Sequence, residues 1–152
     1  MPSCVIRRYA NAAPPDIAGL IEEASREGFS FVERTATQWS SGENRFDAPA
    51  EGFWLAEDDG QVVAMCGVNV DPYVDDLTIG RLRHLYVHPA SRSRGLAVAL
   101  VDVVLAHATN HFAIIRLQTP NAAADRFYDR YGFARSDSPT ASHDASSGSL
   151  RK

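Results

Sequence analysis

A strand, a short loop with two arginines and a glycine, and a long apolar helix follow one another between residues 81 and 108. The segment RLRHLYV predicts a strand from Arg81 to Val87, and the loop after it carries Arg92, Arg94 and Gly95. Beyond the loop, apolar residues recur at helical spacing. A strand joined in this way to a buried helix requires a layered fold of strands and helices.

This junction has the features of an anion site. The first N–H groups of a helix have no intrahelical partner, and the helix dipole adds positive charge there. Gly95 lets the main chain approach a ligand closely, and the two arginines favour a phosphate or pyrophosphate. Solvated loop arginines are the alternative. The chain has neither the Walker pattern nor the dinucleotide pattern G-x-G-x-x-G.

The other elements predict a single sheet with helices on both faces. A first strand, Ser3–Tyr9, precedes two helices, and the Asp-Gly in "DDGQ" predicts a tight hairpin turn between two strands. The full order is βα(α)βββαβα, so we expect a mixed α/β sheet of six to seven strands flanked by about four helices. The domain is expected to span residues 1–137. Residues 138–152 are rich in serine and poor in apolar residues, which predicts a flexible tail.

Charge and cysteine content exclude several classes of function. The 152-residue chain has a net charge of −4, so no global positive field favours nucleic acid or a membrane surface. Cys4 and Cys66 are too few for a disulfide framework or a cysteine zinc site, and we expect no metal. Neither a long apolar span nor a signal-peptide core is visible in the sequence, so a cytoplasmic protein is expected.

Two segments resemble the signatures of the GCN5-related N-acetyltransferases (GNAT family). The segment "RLRHLYVHPASRSRGLAVALV" resembles the family's strand, its R-x-x-G-x-[GA] acyl-CoA loop and its helix. Alanine stands at the last motif position, where glycine is commonest. The segment "LQTPNAAADRFYDRYGF" resembles the pattern N-x-x-A-x-x-[FL]-Y-x-x-x-G-F. The resemblance implies a GNAT-like fold with acetyl-CoA as the acetyl donor.

The resemblance also implies a role for each matching position. The main chain at the end of the signature strand would pair with the pantetheine arm, and the loop would hold the pyrophosphate. Asn121 would hydrogen-bond the cofactor arm, cap its helix, or do both. Tyr128 would protonate the departing thiolate, although a packed helix aromatic is the alternative. The cofactor-binding positions expected on this basis are Leu85, Tyr86, Val87, Arg92, Ser93, Arg94, Gly95, Leu96, Ala97, Val98 and Asn121.

The base that deprotonates the acceptor amine is not assigned by the sequence. Many family members place a glutamate or histidine on the signature strand, where this chain has Arg81 and Arg83. Strand alternation predicts that the neighbouring His84 points to the opposite face. Arginines facing the cleft would favour an acceptor with a carboxylate or phosphate. Alternatively, they pair with Asp75 or Asp76, or lie on a solvated face.

The function expected from the resemblance is acetyl-CoA-dependent N-acetyl transfer to a small-molecule or peptide amine. A non-catalytic acyl-CoA-binding or sensing module is the alternative, consistent with the missing strand base. Dimers are common in the family, so a homodimer is one expected assembly. The acceptor is not identified by the sequence, because one fold serves many substrates.

Overall fold

The computed structural model describes residues 4–150, which form seven strands and five helices. The strands are β1 (Cys4–Arg8), β2 (Gly52–Asp58), β3 (Gln61–Val70), β4 (Ile79–Val87), β5 (Ile114–Leu117), β6 (Ala134–Arg135) and β7 (His143–Ser146). The helices are α1 (Ala18–Arg26), α2 (Phe31–Ser41), α3 (Leu96–Ala108), α4 (Ala122–Tyr131) and α5 (Ser147–Leu150), with a 3₁₀ turn at Pro89–Ser91. Ser3, the first residue of the predicted first strand, lies outside the described residues.

All seven strands belong to one sheet in the order β1-β2-β3-β4-β5-β7-β6. Strands β1 to β4 are antiparallel neighbours, β5 runs parallel to β4, and β7 pairs antiparallel with both β5 and β6. The predicted mixed sheet with flanking helices is therefore confirmed. The predicted Asp-Gly turn joins β2 to β3 with φ angles of 55° at Asp59 and 81° at Gly60, as a tight hairpin requires.

Helices cover the sheet on both faces and bury two separate cores. The core under α1 and α2 contains Leu20, Trp39, Phe53, Met65 and Tyr86, among others. The second core lies under α3 and α4 and includes the apolar stripe of α3 together with Cys66 and Tyr128. Strand β4 contributes to both cores, so the two helical layers are fixed relative to each other through this strand.

Residues 138–150 differ from the flexible tail that the composition predicts. Within them, β7 lies between β5 and β6, and His143 is fully buried. Polar contacts replace the missing apolar side chains: His143 Nε2 bonds Asp129 Oδ1 at 2.9 Å, and Ser147 Oγ donates to the Phe112 carbonyl. Because hydrogen bonds rather than apolar alternation hold this strand, its composition gave no sign of it. In the same described part of the chain, no helix is long and apolar enough to cross a membrane.

Candidate active site

Strand β4 contains a β-bulge in its middle. Met65 of β3 pairs with Tyr86, and Gly67 pairs with Arg83, so both His84 and Leu85 lie opposite Cys66. His84 has a φ of 62°, which a bulged residue can adopt. The bulge interrupts the alternation, and His84 therefore faces α2 on the same side as Arg83. The prediction that it points to the opposite face was wrong for this reason.

Strands β4 and β5 pair over a short stretch and then separate. Their register covers Ile79 to Arg81 of β4 and ends where Arg81 meets Arg116. Beyond this point β4 continues to Val87 with its β5-facing edge unpaired, while its other edge stays paired with β3. The main chain of Leu85, Tyr86 and Val87 therefore borders an opening between the two strands, where an extended ligand arm can add hydrogen bonds to the strand.

The loop after β4 presents a continuous run of main-chain donors. Ser93 and Gly95 both have positive φ angles, 66° and 75°, and Gly95 is the N-cap of α3. The Arg92 N–H donates to the Pro89 carbonyl at 3.4 Å, and the next N–H along the chain that bonds the main chain is that of Ala99, which donates to the Gly95 carbonyl. Within residues 4–150, no acceptor faces the N–H groups of Ser93, Arg94, Gly95, Leu96, Ala97 and Val98. Such a concave row of N–H groups at a helix N-terminus fits a pyrophosphate.

The two loop arginines have different environments. The Arg92 guanidinium donates to both carboxylate oxygens of Glu27, at 2.6 and 2.8 Å, and its Nε donates to the Val87 carbonyl. Tyr86 Oη also donates to Glu27, and Arg92 lies over the Tyr86 ring. Hydrogen bonding to Arg92 holds the pKa of Glu27 below its usual value, so the carboxylate stays charged. Arg94 is exposed and has no partner in the described chain.

Asn121 caps α4 and also lines a cavity. Its side-chain oxygen accepts a hydrogen bond from the Ala124 N–H at 2.9 Å, as an N-cap requires. Its amide nitrogen has no partner among the described residues. The side chain lines a cavity of about 480 Å³ at the end of β5. Capping and ligand binding are therefore compatible in this residue.

Tyr128 lies in the core beneath α4. Its ring packs against Phe127, Phe133 and His143. No described residue bonds the hydroxyl, yet no buried polar side-chain atom lacks a partner. The hydroxyl therefore reaches solvent through the residue's 6% exposed fraction. Burial, with smaller effects from Cys66 and Tyr131, holds the pKa of Tyr128 well above its usual value, so the phenol keeps its proton.

Hydrogen bonds fix the tautomer of His84. Thr35 Oγ1 donates its single proton to the Phe31 carbonyl, so the His84 Nδ1–H must donate to Thr35 Oγ1, 2.7 Å away. Nε2 therefore carries the free lone pair, and no described residue bonds it. Burial, followed by the charges of Arg83 and Arg34, lowers the pKa of His84 to about 3. The ring is neutral at physiological pH.

Several residues of this region were not identified from the sequence. Glu27 contacts Arg92 across 65 positions of the chain, and Thr35 contacts His84 across 49. Arg81 pairs with Asp71, whereas Asp75 and Asp76, the predicted partners, do not pair with it. Such contacts depend on how α1, α2 and the β3–β4 loop pack, and no local motif encodes them.

The family comparison matches most of the chain. Residues 18–133 match the family model described as "Acetyltransferase (GNAT) family". The chain belongs to the GNAT acetyltransferase family. Acetyl-CoA is the usual acetyl donor in this family, and the row of free N–H groups beside the open edge of β4 fits such a donor.

Similar proteins support the assignment of a GNAT fold. A proposed acetyltransferase from Exiguobacterium sp. 255-15 has a TM-score of 0.86 and 26% identity, covering 97% of this chain and 96% of its own. A proposed acetyltransferase from Salmonella typhimurium, solved with its cofactor acetyl-CoA, has a TM-score of 0.64 and 18% identity, covering 93% and 90%. A mycothiol acetyltransferase from Acidimicrobium ferrooxidans is 34% identical over 94 residues, or 60% of this chain. The match spans only 30% of that relative.

Proposed function

We propose that this GNAT protein is an acetyl-CoA-dependent N-acetyltransferase that acts on a small-molecule or peptide amine. The observation that carries the proposal is the open edge of β4, which leads to the free N–H groups at the start of α3. Tyr128 lies in the core that borders the same strand. Acetyl-CoA supplies an acetyl thioester, whose carbonyl carbon is attacked by the amine nitrogen. The C–N bond forms, and the C–S bond breaks.

The donor is held by main-chain groups and by one free arginine. The N–H groups from Ser93 to Val98 bind the pyrophosphate, and Arg94 adds a charge from the exposed side of the loop. The unpaired edge of Leu85, Tyr86 and Val87 binds the pantetheine arm, together with the Asn121 amide. Arg92 acts through its side chain, which holds the loop against α1 by pairing with Glu27, while its own N–H donates to the Pro89 carbonyl.

Tyr128 protonates the departing thiolate, and solvent returns a proton to the phenolate to complete the cycle. Its environment favours the protonated phenol, its hydroxyl has no competing partner in the described residues, and it lies near Cys66, the residue opposite the bulge. A free thiol has an ordinary pKa near 8.5 and leaves more easily when a donor stabilises its charge.

His84 orients the acceptor amine but does not act as the general base that keeps its proton. With a pKa of about 3, the imidazole is too weak a base to stay protonated at neutral pH. Its Nε2 lone pair accepts a hydrogen bond from the amine or from a water molecule that carries the proton to solvent. The acidic limb of the rate against pH is therefore expected to follow the pKa of the acceptor amine.

An assay of CoA release against a panel of amines tests the proposed function. The panel contains amino acids, polyamines, aminoglycosides and peptides with free N-termini, and acetyl-CoA binding is measured separately by calorimetry. We expect saturable, amine-dependent release of CoA and an acetylated product detectable by mass spectrometry. Binding of acetyl-CoA without turnover across the panel would indicate a sensing module instead. Cytoplasmic location and a homodimer remain predictions from the sequence.

Removing either partner of the Arg92–Glu27 pair is expected to weaken acetyl-CoA binding to a similar extent. The pair holds the loop and is partly exposed, so its loss is worth about 1 kcal/mol, or roughly fivefold in Kd. We expect Arg92→Ala and Glu27→Gln each to raise the Kd by this factor, and the double variant to raise it no further. Calorimetric titration with acetyl-CoA measures all three.

Whether Glu27→Gln raises or lowers the Kd for acetyl-CoA shows whether the Arg92 side chain positions the loop or contacts the pyrophosphate directly. If Arg92 bound the pyrophosphate with its side chain, freeing it from Glu27 would tighten binding, while Arg92→Ala would still weaken it. Arg26→Gln is the matched control, because Arg26 pairs with Glu22 and Glu23 on the surface of α1. The Kd of the Arg26→Gln variant for acetyl-CoA is expected to stay at the wild-type value.

A further inference from the structure

Four arginines and one buried carboxylate lie on the α2-facing side of the sheet, near the point where β4 and β5 separate. Arg81 and Arg116 form the last pair of residues before β4 and β5 separate. Arg83 lies two residues further along β4, and Arg34 belongs to α2. The carboxylate belongs to Asp71, whose side chain is fully buried. This positive region is local, because the whole chain has a net charge of −4.

Two of these arginines share the one buried carboxylate. Asp71 Oδ2 accepts from Arg116 at 3.0 Å and from Arg81 at 3.4 Å. Arg116 also donates to the hydroxyls of Ser138 and Thr140, and Arg81 lies 4.6 Å from the centre of the Tyr73 ring. These two guanidiniums are therefore structural, and Asp71 acts on Arg83 only through space, without a hydrogen bond.

Arg83 hydrogen-bonds no carboxylate among the described residues. Its single hydrogen bond within residues 4–150 goes to Asn69 Oδ1 at 3.4 Å, and the same oxygen already accepts from Asn44 at 3.0 Å. Charge-assisted bonds are normally 2.7–2.9 Å long. A half-buried guanidinium with five donors and one long contact is only partly satisfied, and burial accordingly lowers the pKa of Arg83.

The position of Arg83 relates it to the acceptor. It precedes the bulged His84, whose free Nε2 we assign to the acceptor amine, and Arg83 and Arg34 are the two charges that act on that imidazole. Arg34 is exposed and bonds only the Ser30 hydroxyl among the described residues. An acceptor held at His84 therefore meets two guanidiniums that hydrogen-bond no carboxylate within residues 4–150.

We propose that the acceptor of this enzyme carries an oxyanion, a carboxylate or a phosphate, which Arg83 binds with help from Arg34. The proposal rests on the N-acetyltransferase function proposed above and names its substrate class. A bidentate oxyanion would complete the hydrogen bonds of Arg83 and compensate the local charge. Polyamines and other polycations are poor acceptors on this basis, because like charges at close range are repelled.

Matched pairs of amines test this inference. Glycine is compared with glycinamide, and O-phosphoethanolamine with ethanolamine, so that the two pairs distinguish carboxylate from phosphate. Because the pKa of the amine also differs within a pair, each kcat/KM and KM is expressed per concentration of neutral amine. For the wild type we expect a higher kcat/KM with the anionic member of at least one pair. In Arg83→Gln we expect the KM of the anionic member to rise about 10- to 100-fold, which is typical of the loss of a hydrogen bond to a charged group. The KM values of the neutral member and of acetyl-CoA should stay within about twofold.

Further variants exclude a general effect on folding. Arg83→Lys keeps the charge and should recover part of the loss, and Arg34→Gln alters an exposed side chain and should raise the anionic KM by roughly threefold. Arg7→Gln is the control, because Arg7 pairs with Glu57 at the far edge strand β1. Equal KM increases for both members of a pair, or preference for the neutral members, would overturn the inference and leave the acetyltransferase function standing.

If none of these amines is acetylated, a binding measurement tests the oxyanion site directly. Inorganic phosphate and acetate are titrated by calorimetry into the protein saturated with CoA, which fills the pyrophosphate loop. Saturable binding that weakens at least tenfold in Arg83→Gln supports the oxyanion site. Absence of binding, or equal binding to both proteins, overturns it. Failure of acetyl-CoA itself to bind would instead refute the proposed function.

Discussion

Replacing Tyr128 with phenylalanine is expected to lower kcat by about 100- to 1,000-fold, the range of a lost general acid. The hydroxyl has no partner among the described residues, so its removal breaks no hydrogen bond of the fold. The ring contacts with Phe127, Phe133 and His143 remain possible. We therefore expect an unchanged Tm and a KM for acetyl-CoA within about twofold of the wild type. Steady-state kinetics and thermal unfolding measure these quantities.

Tyr131→Phe is the matched control for this change. Tyr131 lies one turn further along α4, and its hydroxyl donates to Asp102 at 2.5 Å. Removing this hydroxyl is expected to lower Tm slightly and to leave kcat unchanged. A Tyr128→Phe variant that keeps wild-type kcat, or one that loses activity only together with Tm, would show that Tyr128 is a packing residue.

The sequence was sufficient to predict the elements around the donor, because local rules determine them. Gly95 begins α3 at the predicted junction, Asn121 caps α4, and Gly132 with a φ of 120° ends it. Each of these positions reflects backbone freedom or capping, which depend on neighbours within a few residues. The same locality explains the correct prediction of the hairpin at Asp59 and Gly60.

The acceptor side could not be predicted in this way, because one bulge and several distant contacts define it. Strand alternation assigned His84 to the wrong face, since a two-against-one pairing with Cys66 leaves no mark in the sequence of either strand. Arg81 and Arg83 look equivalent in "RLRHLYV". Only the fold shows that Arg81 pairs with Asp71, whereas Arg83 hydrogen-bonds no carboxylate among the described residues.

Replacing Gly95 with aspartate is expected to raise the Kd for acetyl-CoA by about 100-fold or more, since like charges in close contact cost several kcal/mol. A Cβ at this position meets no atom within 4 Å, so the added side chain fits sterically. Its carboxylate would lie among the N–H groups that we assign to the pyrophosphate. The same carboxylate interacts favourably with the α3 dipole and partly offsets the strain of a φ of 75°. Calorimetric titration with acetyl-CoA measures the change, and thermal unfolding checks the fold.

Gly95→Asn separates the charge from the backbone strain. Asparagine has nearly the same size as aspartate and tolerates positive φ better than most residues, but it brings no charge. We expect its Kd to rise by no more than about tenfold, since asparagine lies at the low end, about 1 kcal/mol, of the strain that a positive φ costs. The difference between the two variants then reports the electrostatic repulsion and should shrink as salt screens it. Equal Kd values for Gly95→Asp and Gly95→Asn would mean that no phosphate group lies at the start of α3.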